Sequence, residues 1–208
     1  SGTVTITGVT GGDTSLTTLD INASSSTGGI TTANIGDNDT TGVTGVIKLG
    51  NSNTSSLSTG TTLKFGGGFT YAGNFALGQN YTTSGGDVNI LGDLTSSGAF
   101  SIDSVGGDIT VTGNVLGSAA TNTITLTKGT GTGTTITVGG NIGAASGSTS
   151  NLASVTLVGD TGINLGGDIT TADTAGGAIQ ITGPVTLTAD VDIDADANNT
   201  TVTFASTS

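Results

Sequence analysis

The chain has no cysteine, histidine, methionine, tryptophan, arginine or glutamate in its 208 residues, and only one proline. Without cysteine or histidine, zinc sites of the His/Cys type, thiol chemistry, disulfides and every His-dependent catalytic triad are excluded. Carboxylate pairs can hydrolyse or eliminate glycosides, but they work in clefts beside cationic and aromatic sugar contacts. Arginine and tryptophan are missing, so a non-catalytic protein is expected. Three lysines (Lys48, Lys64, Lys128) oppose fifteen acidic residues, all aspartate, for a net charge of -12. That balance argues against nucleic acid, whose phosphates require Lys and Arg, and against anionic membrane surfaces. It leaves divalent cations as a compatible partner. No apolar run is long enough to cross a bilayer as a helix, and no leader peptide is recognisable. Ser1 is not a natural start, so a processed product or a fragment is expected. Absence of cysteine suits a long exported protein, which gains by not cross-linking in transit.

Glycine (38 residues) and threonine (45 residues) dominate what is present. Both disfavour helix propagation and favour strands and turns. Aromatics make up 3 % of the chain, so the core must be thin and aliphatic. The recurring local phrase is apolar, small polar, apolar, closed by glycine. Val4-Thr5-Ile6, Leu63-Lys64-Phe65, Val88-Asn89-Ile90, Ile109-Thr110-Val111, Ile124-Thr125-Leu126 and Ile136-Thr137-Val138 all carry it. So do Val155-Thr156-Leu157, Ile163-Asn164-Leu165, Ile179-Gln180-Ile181, Val185-Thr186-Leu187, Val191-Asp192-Ile193 and Val202-Thr203-Phe204. Alternation over so short a span marks a strand with one buried face. A dozen strands that each bury two side chains fit the rungs of a stacked coil better than one wide sheet.

A second phrase, Gly-Gly followed by Asp or Asn, recurs as Gly85-Gly86-Asp87, Gly106-Gly107-Asp108, Gly139-Gly140-Asn141 and Gly166-Gly167-Asp168. Its intervals lie in the solenoid range. It reads as a corner where glycine supplies positive φ and the next residue caps local N–H groups. Stacked at one corner, Asp87, Asp108, Asn141 and Asp168 would form a ladder. Near the C-terminus the apolar pairs fall six residues apart (Ile179/Ile181, Val185/Leu187, then Val191/Ile193), matching successive sides of a three-sided coil. Val202 and Phe204 then repeat Ile179 and Ile181 after one full turn, with Pro184 at a corner that needs no N–H. Coils of roughly 20–24 residues give about nine or ten coils and a stack on the order of 45 Å. The expected organisation is one elongated unit over 1–208, looser over 1–84 and more regular over 85–208. Ala23–Gly29, Gly36–Gly45 and Gly50–Thr62 read as corner loops. Open strand edges at both ends invite end-to-end association or continuation into further coils.

Two residue groups are candidate binding sites. Asp192, Asp194, Asp196 and Asn198 match the opening of a calcium loop, since clustered oxygen ligands suit hard cations. The sixth position is Ala197 and the twelfth Thr203, however, where such loops carry Gly and Glu. Tyr71 lies within the aromatic segment 65–75 and Tyr81 follows it. They belong either to an aromatic stack inside the coil or to a surface that meets a partner such as a host or matrix glycan.

The run from Gly166 to Asp194, with Thr201-Val202-Thr203-Phe204, resembles the repeats of giant bacterial surface proteins of the filamentous-haemagglutinin-like, β-strand-repeat type. The resemblance is good over 85–208 and diffuse over 1–84. It implies a right-handed parallel β-helix (β-solenoid), the hand that parallel crossovers also favour. It further implies export to the cell surface and a structural role in a filament, adhesin or biofilm. One alternative is a β-sandwich filament subunit whose terminal strand, Thr201–Ser206, inserts into the next copy. Another is a carbohydrate-binding module built on Tyr71 and Tyr81.

Overall fold

The computed structural model describes residues 4–8, 11, 14–21, 30–35, 42–44, 47–49, 57–58, 64–65, 68–78, 80–83, 85–129, 133–144, 150–173, 177–195 and 201–206. Among these residues there is no helix, and every strand pair is parallel. The chain winds as a β-solenoid with three sides.

The longest side is an eight-stranded sheet. It holds β2 (Leu19–Ile21), β4 (Ile47–Leu49), β7 (Phe69–Tyr71), β10 (Val88–Ile90), β13 (Ile109–Val111), β16 (Ile136–Val138), β18 (Ile163–Leu165) and β21 (Val185–Leu187). A seven-stranded side holds β6 (Lys64–Phe65), β9 (Tyr81–Thr83), β12 (Ala99–Ser104), β15 (Thr123–Lys128), β17 (Ser154–Gly159), β20 (Ala178–Thr182) and β23 (Thr201–Ala205). The third side comes in pieces. β1 (Val4–Ile6), β3 (Ile30–Thr32) and β5 (Leu57–Ser58) form one, and β8 (Phe75–Leu77), β11 (Leu94–Ser96) and β14 (Val115–Gly117) form the next. Single bridges through Ile142 then connect Val115 to Ile169, the start of the pair β19 (Ile169–Thr170) and β22 (Ile193–Asp194).

Alternation explains the layering. In the long sheet, Val88, Ile109, Ile136 and Ile163 stack in one inward column, and Ile90, Val111, Val138 and Leu165 in a second. All eight are buried. Each such side chain contributes about 1.5–3 kcal/mol through its removal from water. The middle residues Thr70, Asn89, Thr110, Thr137 and Asn164 form a polar column on the outer face. Asn164 Nδ2 donates to Thr137 Oγ1 at 3.2 Å across one step of it.

Several expectations change. Parallel pairing excludes the β-sandwich, whose strands run antiparallel. Eight rungs in the longest sheet replace nine or ten coils, giving a stack of about 34 Å at the usual rung spacing. The count falls because coils are unequal. Successive strands of that sheet start 28 residues apart from Leu19 to Ile47, but 19 apart from Phe69 to Val88. The 23-residue repeat at the C-terminus holds, since Ile179 pairs with Val202 and Ile181 with Phe204. The third side of that coil is displaced: the strand is Ile193–Asp194, and Val191 precedes it. Of the expected loops, Ala23–Gly29 lies outside the described residues. Within Gly36–Gly45, Val43 is buried and bridges Leu16. Within Gly50–Thr62, Leu57–Ser58 is a strand. These segments therefore contribute rungs as well as connections.

Candidate functional site

The most ordered polar feature is a ladder of Asn and Asp side chains at the corner entering the third side. The N–H of Asp93 donates to Asn74 Oδ1 at 2.9 Å, and that of Asn114 to Asp93 Oδ1 at 2.8 Å. Asn141 then donates to Asn114 Oδ1 at 2.9 Å, Asp168 to Asn141 Oδ1 at 3.0 Å, and Asp192 to Asp168 Oδ1 at 2.9 Å. The same residues accept from the coil below through their carbonyls, as Asp93 O does from Phe75 N at 2.7 Å and Asn114 O from Leu94 N at 2.8 Å. Each interior ladder residue (Asp93, Asn114, Asn141 and Asp168) thus joins three successive coils.

This arrangement corrects the single ladder of Asp87, Asp108, Asn141 and Asp168. Those residues occupy two corners. Asp87 and Asp108 precede the long sheet, where Asp108 N–H donates to Asp87 Oδ1 at 2.9 Å and Thr135 N–H to Asp108 Oδ1. Asn141 and Asp168 precede the third side. The 33-residue interval between Gly106 and Gly139 is therefore not a coil. It is the 6 residues from Asp108 to Asn114, across one side, plus the 27 from Asn114 to Asn141. The side-chain acceptors also reach the next coil and not their own turn. Asn114 and Asn141 separate Asp93 from Asp168, whereas Asp168 and Asp192, like Asp87 and Asp108 at the other corner, stand on adjacent coils.

Glycine is required here mainly for space. Among the corner glycines of the two-Gly phrase, only Gly85 has positive φ (124°). A Cβ on Gly113 would lie 2.5 Å from Asp93 Oδ1, and one on Gly140 would lie 2.6 Å from Asn114 Oδ1. The ladder side chain of one coil occupies the volume that a side chain on the next would need. Asn74, Asp93, Asn114 and Asp192 were not anticipated as ladder members. A shorter phrase marks most of the column: Gly-Asx directly before an apolar residue, as in Gly73-Asn74-Phe75, Gly92-Asp93-Leu94 and Gly113-Asn114-Val115.

The opposite corner is closed by buried hydroxyls. Thr83 Oγ1 donates to Gly86 O at 2.8 Å, and one rung above Ser104 Oγ donates to Gly107 O. The next rung carries Lys128, which is buried and reaches Thr161 Oγ1 at 3.4 Å.

Tyr71 and Tyr81 are not at the surface. Tyr71 is 0 % and Tyr81 3 % exposed. They form an aromatic plug in which Phe75 lies 5.4 Å from Phe69, 5.5 Å from Tyr71 and 5.3 Å from Tyr81 between ring centroids. One coil supplies all four rings, from its three sides, so the plug fills the core cross-section. Neither tyrosine can present a sugar platform or a partner contact, because burial of the ring is worth more than its display. The Tyr71 hydroxyl is buried without a hydrogen bond, and burial pushes its pKa up to about 12. Desolvation also raises Asp103, which lies between Thr82 and Thr127 on the outer column of the seven-stranded side.

Of the four calcium-loop candidates, Asp192 and Asp194 are among the described residues. Asp192 is an exposed corner residue of the ladder, and Asp194 is an exposed residue of β22. Asp196 and Asn198 lie outside the described residues. Among the described residues, no three acidic side chains converge on one point.

No known protein family, curated protein or solved structure matches the chain.

Proposed function

We propose that this chain is a non-catalytic structural segment of an extracellular bacterial surface fibre, filament or adhesin. The observation that carries the reading is the continuous parallel ladder, reinforced at one corner by side-chain acceptors that bind N–H groups of the next coil. Such a stack is stiff along its axis, because each rung is held by backbone and side-chain hydrogen bonds together. Outer columns of Thr, Asn and Ser keep its faces wetted, and the net charge of -12 opposes lateral clumping. With both tyrosines in the core, the carbohydrate-module reading loses its aromatic platforms. The fold itself leaves function open, so the test is cellular. Antibodies raised against the chain should label intact cells of the producing bacterium, and external protease should remove the signal. Labelling confined to lysed cells would overturn the reading.

A further inference from the structure

We propose that the outer face of the seven-stranded side is a binding surface for an ordered water lattice, the face of an ice crystal. Such binding goes beyond the structural role above and does not depend on it.

From β12 to β23 this side consists of five strands paired residue for residue, without a bulge. Three outward positions on each strand make an array of fifteen side chains. Its middle column is Ser101, Thr125, Thr156, Gln180 and Thr203. Thr123, Ser154 and Thr201 stand in the column on one side of it, and Thr127 and Thr182 in the column on the other. Nine of the fifteen positions therefore carry a hydroxyl, and four of the rest are Ala or Val. The one carboxylate is Asp103 on the first rung, whereas Asp87, Asp93, Asp108 and Asp168 stand at the corners of the coil. Ser154 Oγ accepts from Ala178 N–H at 3.1 Å. Among the described residues, the threonine hydroxyls of the array have no protein partner and face outward.

The spacing of the array selects the ligand. Rungs lie about 4.8 Å apart, and outward neighbours along one strand about 6.6 Å apart. These two perpendicular repeats are close to those of the oxygen lattice of ice. Threonine suits that lattice. Its hydroxyl takes the place of a lattice oxygen, and its methyl excludes loosely held water between lattice points. Its branched Cβ restricts χ1, so the array is pre-organised and gives up little entropy on binding. Corner hydrogen bonds that repeat from coil to coil restrain the twist a free sheet would take. Other occupants fit less well. The array covers about 500 Å² at these spacings, whereas a stable protein interface buries about 800 Å² on each partner. A crystal face offers the same contact at every lattice point, so a small array suffices. No aromatic ring stands among the fifteen positions for a sugar to stack on.

Single ice crystals grown in a solution of the 208-residue chain test this. The wild type should arrest growth over a measurable interval of supercooling, facet the crystals, and pass into the ice when the solution is frozen slowly. Thr156→Tyr changes an outward side chain at the centre of the array and should lose all three effects. Thr110→Tyr makes the same change on the outer column of the long sheet and should keep them. Circular dichroism checks that both variants retain their β-structure, and the wild-type result decides the matter even if they do not. A wild-type chain that is left in the liquid and leaves the crystals round overturns the proposal. So does retention of the effects by Thr156→Tyr, or their loss in a folded Thr110→Tyr, since either puts the contact off this face. Wild-type binding to powdered cellulose or chitin with no effect on ice overturns it in favour of a crystalline polysaccharide. Surface labelling of cells is untouched by any of these results, so failure here is distinguishable from failure of the structural reading.

Discussion

At the scale of single residues, the informative positions are those where a polar group has been taken inside. The Tyr71 hydroxyl has lost its water and gained no partner. Tyr71→Phe keeps the ring in the plug and removes that cost, so it should stabilise the protein by about 1 kcal/mol, read as a rise in thermal midpoint. The pH dependence has a definite sign. A phenol raised to about 12 in the folded state ionises first in the unfolded chain, whose value is near 10. Stability is therefore intact below pH 10 and falls between pH 10 and about 12. Denaturation midpoints measured across that window should drop for the wild type and drop less for Tyr71→Phe. Asp103 behaves in the same sense at acid pH. Its raised pKa means the folded state prefers the protonated acid. Its contribution is most favourable below the ordinary aspartate range and is lost as pH rises through its folded value. Asp103→Asn should raise the midpoint at pH 7, with the gain shrinking towards pH 3.

At the scale of the element, the strands that were legible are those with aliphatics at both inward positions, such as Ile109–Val111 and Ile163–Leu165. Others were missed because a hydroxyl or glycine stands inward. Thr32, Thr83, Ser96 and Ser104 are all buried strand residues. At the narrow corners of the coil a small polar side chain closes the turn better than a bulky apolar one, and binary patterning does not register it. The corner ladder was legible as a phrase but not as a place. Gly-Gly-Asx recurs at two corners, since both need a side-chain acceptor facing the next coil, and nothing local records which side follows. Space, more than backbone φ, decides the glycine. Gly113→Ala should therefore cost about 1–3 kcal/mol through overpacking against both the Asp93 carboxylate and the Gly92 backbone of the coil below. An Asp93→Gly background would remove the carboxylate and leave the Gly92 backbone in the way, so a double-mutant cycle of thermal unfolding should show the two changes partly less than additive, with most of the cost of Gly113→Ala remaining.

At the scale of the molecule, each coil touches its immediate neighbours and little else, so whole coils should be removable. Residues 88–108 contain one rung of every side, β10, β11 and β12, and end on Asp108, the corner equivalent of Asp87. Deleting them joins Asp87 to Ile109 and sets Ile109 over Phe69, where Val88 stood. The shortened chain should fold with unchanged circular dichroism per residue and a modestly lower unfolding midpoint. Aggregation or loss of strand signal would show that this coil is needed in its place. The unequal coil lengths have a further consequence under load. The rung hydrogen bonds lie along the axis, so a pull on the two termini opens them one coil at a time. Coils of 19 to 28 residues would each release roughly 65–100 Å of slack. In a single-molecule pulling record the extension should advance in steps of those unequal sizes. Under the proposed surface role, a cell held by such a chain would feel shock as a series of small yields and not as one rupture.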